Sequence, residues 1–345
     1  MATDPPTQGT IQGKGPFVVA IDLGGTSIRV AAVDFNGKVI KRTSTPTRAE
    51  EGVNAVIDRV VDRVFQTVGS DGLQAARAVS MGVPGPYDPR TGVVIEPPNL
   101  PGWNHVPIRD IMHSRLGVPV FVGNDANVAA LGEHRFGAGI GVDHMIYITV
   151  STGIGGGIIS EGRLLLGAEG GAGEVGHMSI DMHGPPCSCG NVGCLEALAS
   201  GTAIARVAKA RLRAGEPSSL HATVRGKIEN VTAEIVVREA RGGDAMASEI
   251  IRNAAIALGV GVVNLAHLFD PNVIVIGGGV SNAGPLLFQP IREIVDQRAM
   301  RIVRRHLQIV PAALGGDVGL IGAAALALDE IGAPQLQSSR AEGRL

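Results

Sequence analysis

The chain has 345 residues, of which 45% are hydrophobic and 18% are charged. Domains of roughly 150 residues are common, so this length suggests two of them, and the apolar content excludes a disordered chain. Thirty Lys and Arg residues against thirty-two Asp and Glu residues give a net charge of −2. This balance offers no basic surface for nucleic acid. We therefore expect a globular protein of two domains that does not bind nucleic acid.

No targeting or membrane segment is apparent in the sequence. Residues 1–16 are polar and rich in Pro and Gly, and they lack the apolar core of a secretory signal. The longest uncharged stretch, Pro271–Ile291, is interrupted by glycines and prolines, which is untypical of a membrane span. We predict loose tails at 1–16 and 333–345, no membrane partner and a cytoplasmic location.

Two segments share a strand–glycine turn–strand plan, one in each half of the chain. In residues 17–40, an apolar strand runs into the turn Asp22–Thr26, and Asn36-Gly37 predicts a later hairpin. Residues 145–166 repeat the plan with a turn at Ser151–Gly157. The repetition predicts two similar halves with a cleft between them. Further strand signals lie at Ala78–Gly85, Val118–Asp125 and Asn272–Gly279.

Helical periodicity fills the intervals between these strands. Apolar residues from Val53 to Phe65 recur with the 3.6-residue spacing of an amphipathic helix. Residues 253–269 are almost uncharged and predict a buried helix. Asp317 is placed to cap a last helix that ends near Leu328. Alternating strands and helices indicate an α/β fold.

Glycine-rich turns at the strand ends are candidate phosphate sites. In the first turn, Asp22–Thr26, glycines let backbone N–H groups approach an anion, and Asp22 can hold Mg²⁺ through water. The turn at Ser151–Gly157 can grip the same polyphosphate from the other half, and Gly277–Gly279 can admit a nucleotide base or ribose. Each turn alone is equally compatible with a purely structural role. The sequence contains neither a P-loop nor a dinucleotide fingerprint.

The polar pair Asn124-Asp125 follows an apolar strand and opens a predicted helix. Ligands of α/β proteins collect at this edge of a parallel sheet, which makes the pair a candidate for binding or catalysis. Asp125 is equally a candidate for an ordinary helix N-cap.

All three cysteines lie between positions 187 and 194, which predicts a metal site and not a disulfide framework. Three thiolates and one imidazole form the Cys₃His tetrahedron typical of structural zinc. His177 and His183 are both close in sequence, so the spacing does not select the histidine.

These motifs together resemble the ROK family of sugar kinases and repressors, over residues 17–332, and most closely its bacterial glucokinase branch. The resemblance rests on DLGGTSIR, GVPGPYD, PPNLPGW, GNDAN, STGIGGGII, GEVGHM, CSCGNVGCLEALAS and VIGGGVS, in family order. It implies an actin-like ATPase (ribonuclease H-like) fold, with two α/β domains flanking an active-site cleft. The implied domains are 17–124, joined by a C-terminal helix at 317–331, and 125–316, which contains a zinc knuckle at 177–196.

The resemblance also implies roles for individual residues. Asp125 would be the catalytic base. The implied sugar-binding residues are Gly85, Asn99, Asn124, Asp125, Glu174, His177 and Glu196. The implied ATP- and phosphate-binding residues are Asp22, Gly24, Gly25, Thr26, Thr152, Gly153, Gly277, Gly278 and Gly279. The implied zinc ligands are His177, Cys187, Cys189 and Cys194, so the resemblance selects His177 over His183.

The function implied by the resemblance is ATP-dependent phosphorylation of D-glucose to glucose 6-phosphate. The expected cofactors are ATP, Mg²⁺ and structural Zn²⁺, the expected partners are a hexose and ATP, and the expected assembly is a homodimer or a dimer of dimers. N-acetylmannosamine and N-acetylglucosamine kinases of the family are the alternative, and we favour glucose partly because the proline-rich loop Pro84–Asn99 predicts a stiff wall. A sensor or repressor fits less well, because repressors carry a helix-turn-helix domain and twenty-one residues precede Asp22 here. A polyphosphate-dependent kinase also fits less well, because that branch typically lacks the zinc cysteines.

Overall fold

The computed structural model describes residues 15–335, so most of both predicted tails lies outside the described residues. The first sheet contains β1 (Phe17–Leu23), β2 (Ser27–Asp34), β3 (Val39–Pro46), β4 (Val79–Val83) and β7 (Val120–Asn124). The second sheet contains β8 (Met145–Val150), β9 (Ile154–Ser160), β10 (Arg163–Leu164), β11 (Val273–Gly277) and β12 (Gln308–Pro311). A two-stranded ribbon is formed by β5 (Tyr87–Asp88) and β6 (Val93–Val94).

The two sheets have the same topology, as the repeat in the sequence predicts. Their strand orders are β3-β2-β1-β4-β7 and β10-β9-β8-β11-β12. In each sheet the first three strands are antiparallel and the last two join in parallel. Each glycine turn therefore joins the central strand of its sheet to the antiparallel neighbour, at the same relative position in the two halves.

Helices pack on these sheets. They are α1 (Val53–Ala75), α2 (Ile108–Leu116), α3 (Asp125–Phe136), α4 (Leu195–Ala199), α5 (Gly201–Arg213), α6 (Ser219–Thr223), α7 (Ala233–Arg241), α8 (Ala245–Phe269), α9 (Pro285–Arg298), α10 (Arg301–Arg304) and α11 (Val318–Glu330). Short 3₁₀ turns cover Ala49–Glu51, Val175–His177, Ile228–Asn230, Gly279–Ala283 and Gly315–Asp317.

The amphipathic helix predicted from Val53 is confirmed as α1. Its residues Val56, Val60 and Val64 are fully or almost fully buried against the first sheet. Burial of each such side chain contributes about 1.5–3 kcal/mol. Phe65 differs from the prediction, because it lies at the edge of the apolar stripe and is 37% exposed.

The uncharged stretch before Asp270 belongs to α8, which begins at Ala245, earlier than the predicted 253. By length and composition α8 is the one helix among residues 15–335 that could cross a membrane, but 61% of its apolar window is buried. Leu258 and Val262 pack with Ile291 of α9 in the core of the second half. We therefore assign α8 as a core helix.

Helices α3 and α11 connect the two halves. Leu320, Ala323 and Ala327 of α11 pack on Val18 and Ala20 of β1, so the last helix completes the core of the first half. The two helices touch backbone to backbone, because a Cβ at Gly132 would lie 2.9 Å from the Cα of Gly322.

The predicted cap of the last helix is wrong in one respect. Asp317 directly precedes α11, but its side chain makes no capping hydrogen bond. Its carboxylate instead accepts a hydrogen bond from Arg42 of β3 at 2.8 Å. The charge of Asp317 is thus used to hold the returning segment against the first sheet.

Candidate active site

Three glycines in β9 bring the candidate site together. A Cβ at Gly155 would lie 2.9 Å from the Cβ of Ala126, and a Cβ at Gly157 would lie 2.5 Å from that of Ala130, so α3 approaches one face of the strand closely. On the other face, a Cβ at Gly156 would lie 2.6 Å from Cγ2 of Val175. Because side chains alternate along a strand, the glycine run admits α3 on one side and the Glu174–His177 turn on the other.

This arrangement corrects the interpretation of Ser151–Gly157 as a single phosphate loop. The turn itself is limited to Ser151–Gly153, since β9 begins at Ile154. Gly155, Gly156 and Gly157 are needed for close packing inside the sheet and not for an approach to an anion.

Asn124, and not Asp125, caps α3. The Oδ1 atom of Asn124 accepts hydrogen bonds from the N–H groups of Ala126 at 2.9 Å and Asn127 at 3.2 Å. Its Nδ2 donates to the carbonyl of Gly85 at 3.1 Å, which ties the proline-rich loop to the start of the helix. Asn124 performs the capping, and Oδ1 of Asp125 accepts a second hydrogen bond from the N–H of Ala126 at 2.8 Å.

Asp125 is exposed at the start of α3, although many protein atoms lie around its carboxylate. This crowding removes water from the carboxylate and raises the pKa of Asp125 to about 6. The N–H of Ala126 opposes the shift, while the negative charges of Asp22 and Glu174 increase it. A carboxylate with a pKa near the working pH is well suited to accept a proton from a hydroxyl group.

The first glycine turn is braced by a residue that the sequence did not single out. Thr47 is fully buried, and its Oγ1 donates to the carbonyl of Gly24 at 2.6 Å. Its N–H donates to the carbonyl of Thr26 at 2.9 Å. A Cβ at Gly25 would lie 2.8 Å from the Cβ of Asn99, so the predicted sugar-binding Asn99 packs directly on the predicted phosphate turn.

The second turn is held by groups that follow the cysteines in sequence. Glu196 accepts a hydrogen bond from the N–H of Ile154 at 2.8 Å through Oε2. The N–H groups of Gly201 and Thr202 donate to the carbonyls of Ser151 at 2.7 Å and Thr152 at 3.2 Å. A predicted sugar-binding carboxylate is therefore bonded to the residue directly after the predicted phosphate turn, a contact that the sequence did not reveal.

A cavity of about 910 Å³ opens beside the second turn. Its wall includes Thr152, Gly279 and Asn282, with Arg206 and Lys209 of α5 at its side. Gly278 has φ 85° and packs against the backbone of Val150, while Gly277 packs against Tyr147. Of the predicted run Gly277–Gly279, only Gly279 is among the residues that line the cavity, whereas Gly277 and Gly278 pack against β8.

Four candidate zinc ligands converge in the structure. The donor atoms of His177, Cys187, Cys189 and Cys194 all lie within 4.8 Å of one another. The Sγ atoms of Cys189 and Cys194 are 3.7 Å apart. Two thiolates bound to tetrahedral zinc by Zn–S bonds of about 2.3 Å have the same separation. The Nδ1 atom of His177 lies 3.6 Å from Sγ of Cys187, so Nδ1 faces the thiols and Nε2 is left for another contact.

The glycines of the knuckle allow this convergence. A Cβ at Gly193 would lie 1.6 Å from the carbonyl oxygen of Asp181, and Gly193 has φ 66°. The N–H of Ile180 donates to the carbonyl of Gly193 at 2.9 Å, which brings Cys194 back beneath His177. The donor set and its spacing therefore fit zinc.

The fold of two sheets with identical strand order defines the class of protein, and comparison with known proteins agrees with it. The model of the ROK family matches residues 18–330, and the chain belongs to this family. Its fold is that of the actin-like ATPases.

Three relatives illustrate the range of the family. The chain is 40% identical to a glucokinase of Thermotoga maritima, over 91% of this chain and 98% of that protein. It is 32% identical to an N-acetylmannosamine kinase of Escherichia coli, over 90% of this chain and 98% of that protein. Among solved structures, a glucokinase of Streptomyces griseus in complex with glucose and AMPPNP superposes with a TM-score of 0.78 at 37% identity, over 91% and 99% of the two chains.

Proposed function

We propose that the protein transfers the terminal phosphoryl group of ATP to the 6-hydroxyl group of D-glucose, producing glucose 6-phosphate and ADP. The observation that carries the proposal is the position of Asp125. Its carboxylate stands exposed at the start of α3, with a pKa of about 6 that the charges of Asp22 and Glu174 help to raise. The similarity to glucokinases over almost the whole chain supports the choice of reaction.

Asp125 is the general base in this proposal. Its carboxylate accepts the proton of the sugar 6-hydroxyl, whose oxygen attacks the terminal phosphorus, and ADP leaves. General-base catalysis of this kind contributes typically about 10²–10⁴ in rate. The remaining sugar hydroxyls pair with Asn99, Glu174, Glu196 and Nε2 of His177, because a closed site must satisfy each polar group. Asn124 and Gly85 support this ring by linking α3 to the proline-rich loop.

The two glycine turns bind the phosphates of ATP. Gly24, Gly25 and Thr26 approach from the first half, Thr152 and Gly153 approach from the second, and the adenosine occupies the cavity beside Gly279. Asp22, at the end of β1, would hold Mg²⁺, and its carboxylate is the ligand type that Mg²⁺ prefers. When bound, Mg²⁺ supplies positive charge to the phosphates, and the chain's own part is to position the acceptor.

Zinc has a structural role in the proposal. His177 and the three cysteines would hold it, and His177 would present Nε2 to the sugar because its Nδ1 faces the thiols. Because Glu196 lies two residues after Cys194, the same knuckle orders the second turn. The domain limits near 124 and 316, the assembly as a homo-oligomer and the cytoplasmic location stay predictions.

A coupled assay of ADP release tests the proposed function. Purified protein, MgATP and a panel of D-glucose, N-acetylmannosamine, N-acetylglucosamine and mannose should show the highest kcat/KM with glucose. A kcat/KM for N-acetylmannosamine tenfold above that for glucose would keep the mechanism and replace the substrate. Binding of glucose without ADP release, at any ATP or Mg²⁺ concentration, would favour a sugar sensor.

A further inference from the structure

Arg29 connects Asp22 to the segment through which the chain returns to the first half. The two residues are direct cross-strand partners in the β1–β2 pair. Nε of Arg29 donates to Oδ2 of Asp22 at 2.9 Å, and Nη2 donates to the same oxygen. Nη1 donates to the carbonyl of Gly316. Each guanidinium nitrogen has a partner, and the planar group is thereby fixed in orientation.

The segment that Arg29 contacts is itself anchored. Glu133 of α3 is fully buried and accepts hydrogen bonds from the N–H groups of Ala313 at 3.0 Å and Leu314 at 2.9 Å. At the other end of the segment, a Cβ at Gly319 would lie 2.7 Å from Oδ2 of Asp22. The carboxylate of Asp22 is therefore held between Arg29 and the first turn of α11.

The two oxygens of Asp22 differ as a result. Oδ2 accepts from two nitrogens of Arg29, whereas Oδ1 has no hydrogen bond within residues 15–335. The side chain of Asp22 is 17% exposed, so solvent can reach it. Its hydrogen bonds to Arg29 restrict its rotation. A carboxylate with one oxygen held and one oxygen available is oriented for a hydrated cation.

We propose that Arg29 is a positioning residue, which holds Oδ2 of Asp22 so that Oδ1 is presented to the Mg²⁺ of the bound nucleotide. The inference rests on the proposed function. Arg29 acts through Asp22 and does not bind the phosphates itself. Its effect on nucleotide affinity therefore depends on Mg²⁺, which separates it from a phosphate ligand or a purely structural ion pair.

Calorimetric titration of AMPPNP, in saturating Mg²⁺ and in Mg²⁺-free buffer without a chelator, measures this dependence directly, because a chelator would also remove the zinc of the knuckle. In Arg29→Met the affinity in Mg²⁺ should fall about 10- to 100-fold, the usual range for loss of a residue that orients a metal ligand. The affinity without Mg²⁺ and the affinity for glucose should stay within about twofold of the wild type. Arg29→Lys keeps the charge but cannot bond to both Asp22 and Gly316, so its AMPPNP affinity in Mg²⁺ should lie between those of the wild type and Arg29→Met. This variant also tests the inference if Arg29→Met fails to fold.

Arg42→Met is the matched control. Arg42 lies on the neighbouring strand and pairs with Asp317 of the same returning segment at 2.8 Å. Its removal weakens the attachment of that segment but leaves the hydrogen bonds between Arg29 and Asp22 in place, so the effect of Mg²⁺ on AMPPNP affinity should equal that of the wild type.

Three outcomes would overturn the inference. They are equal weakening of AMPPNP binding with and without Mg²⁺ in Arg29→Met, unchanged binding in that variant, and the same Mg²⁺-dependent loss in Arg42→Met. If the wild type itself shows no Mg²⁺-enhanced binding of AMPPNP, the proposed function fails together with the inference. A wild type with Mg²⁺-enhanced binding and an unaffected Arg29→Met would overturn the role of Arg29 alone.

Discussion

The two halves hold equivalent glycine turns by different means. In the first half, the groups that brace the turn belong to the same sheet: Thr47 follows β3, and Arg29 lies opposite Asp22 in β2. In the second half, the turn depends on Glu196, Gly201 and Thr202, which arrive more than forty residues later in the sequence. The first turn is therefore braced mainly by the strands of its own sheet and the residue that follows them, whereas the shape of the second depends on the knuckle that precedes α4.

This difference means that the shapes of the two turns depend on different parts of the structure. A turn braced by its own sheet keeps its shape as long as the sheet is folded. A turn braced from a metal-dependent knuckle keeps its shape only while the knuckle is intact, because its supports begin directly after Cys194. Changes in the knuckle should consequently alter the second turn and leave the first unaffected.

Asp125 senses the charge of Asp22 in the first half and of Glu174 in the second, and its loss should have the largest effect. Asp125→Asn keeps the size of the side chain and the hydrogen bond to the N–H of Ala126, but the amide cannot accept the proton of a sugar hydroxyl. We expect kcat to fall by at least about 10², the lower limit for removal of a general base, with a small change in the glucose Kd. Steady-state kinetics with glucose binding by calorimetry measures both quantities, and near-normal turnover would remove Asp125 from the mechanism.

Loss of the knuckle should come next. We expect elemental analysis to find one zinc per chain in the wild type and none in Cys189→Ser. Because metal binding contributes to folding, this variant should unfold at a lower temperature and lose affinity for both glucose and AMPPNP. Ser188→Ala, in the same loop without a ligand atom, is the control. A zinc-free variant with unchanged affinities would separate the metal from the site.

Glu196 should transmit the state of the knuckle to the second turn. Glu196→Ala removes the acceptor of the Ile154 N–H and leaves zinc bound, so the KM values for glucose and ATP should both rise about tenfold, which corresponds to about 1.4 kcal/mol. Glu174→Gln is the comparison, because Glu174 is a proposed sugar ligand with no hydrogen bond to the second turn among the described residues. It should raise the KM for glucose alone. A rise in the glucose KM alone for Glu196→Ala would show that its bond to Ile154 has no role in ATP binding.

The pKa of Asp125 predicts the acid limb of the pH profile. The pKa is raised to about 6, and the base is active when deprotonated. Activity therefore falls as the pH decreases through 6, and kcat/KM at pH 5 should be about tenfold below its plateau. A profile that is flat between pH 5 and 8 would contradict the assignment of this carboxylate as the base.

Thr47 offers the smallest test and concerns the first turn alone. Thr47→Val leaves the carbonyl of Gly24 without its 2.6 Å partner, at a cost of about 1–3 kcal/mol in the free energy of unfolding. The KM for ATP should rise a few-fold, while zinc content stays unchanged. Thr43→Val, in the strand that ends directly before Thr47, breaks the 2.6 Å contact with Thr67 of α1 and should cost stability without a change in KM.

The sheets could be predicted from the sequence because their signals are local. Apolar runs and turn residues marked the repeated strands, and periodicity marked α1. The glycines of β9 were misinterpreted because glycine serves two purposes that look identical in sequence. A turn that admits an anion and a strand that admits another backbone both require the absence of a Cβ. Only the positions of Ala126, Ala130 and Val175 identify the second purpose here.

The site residues were less accessible to prediction where support comes from distant segments. The Asp22–Arg29 pair could have been derived from the hairpin, since the register places the two residues opposite each other. The bond between Glu196 and Ile154 could not, because it depends on how the knuckle folds over β9. The capping role of Asn124 was likewise hidden, because Asn and Asp are both good N-caps and only their geometry separates them.

The return of α11 to the first half has a consequence for the order in which the protein becomes stable during its synthesis. Ser80 of β4 donates to the carbonyl of Ala323, and Val18 of β1 packs on the same helix, so one face of the first sheet is covered by residues that emerge from the ribosome long after the sheet itself. Contacts over such a separation form slowly because a long chain must be brought together. The first half is thus made early but completed late, and one apolar face of its sheet stays without this cover until translation has passed residue 330.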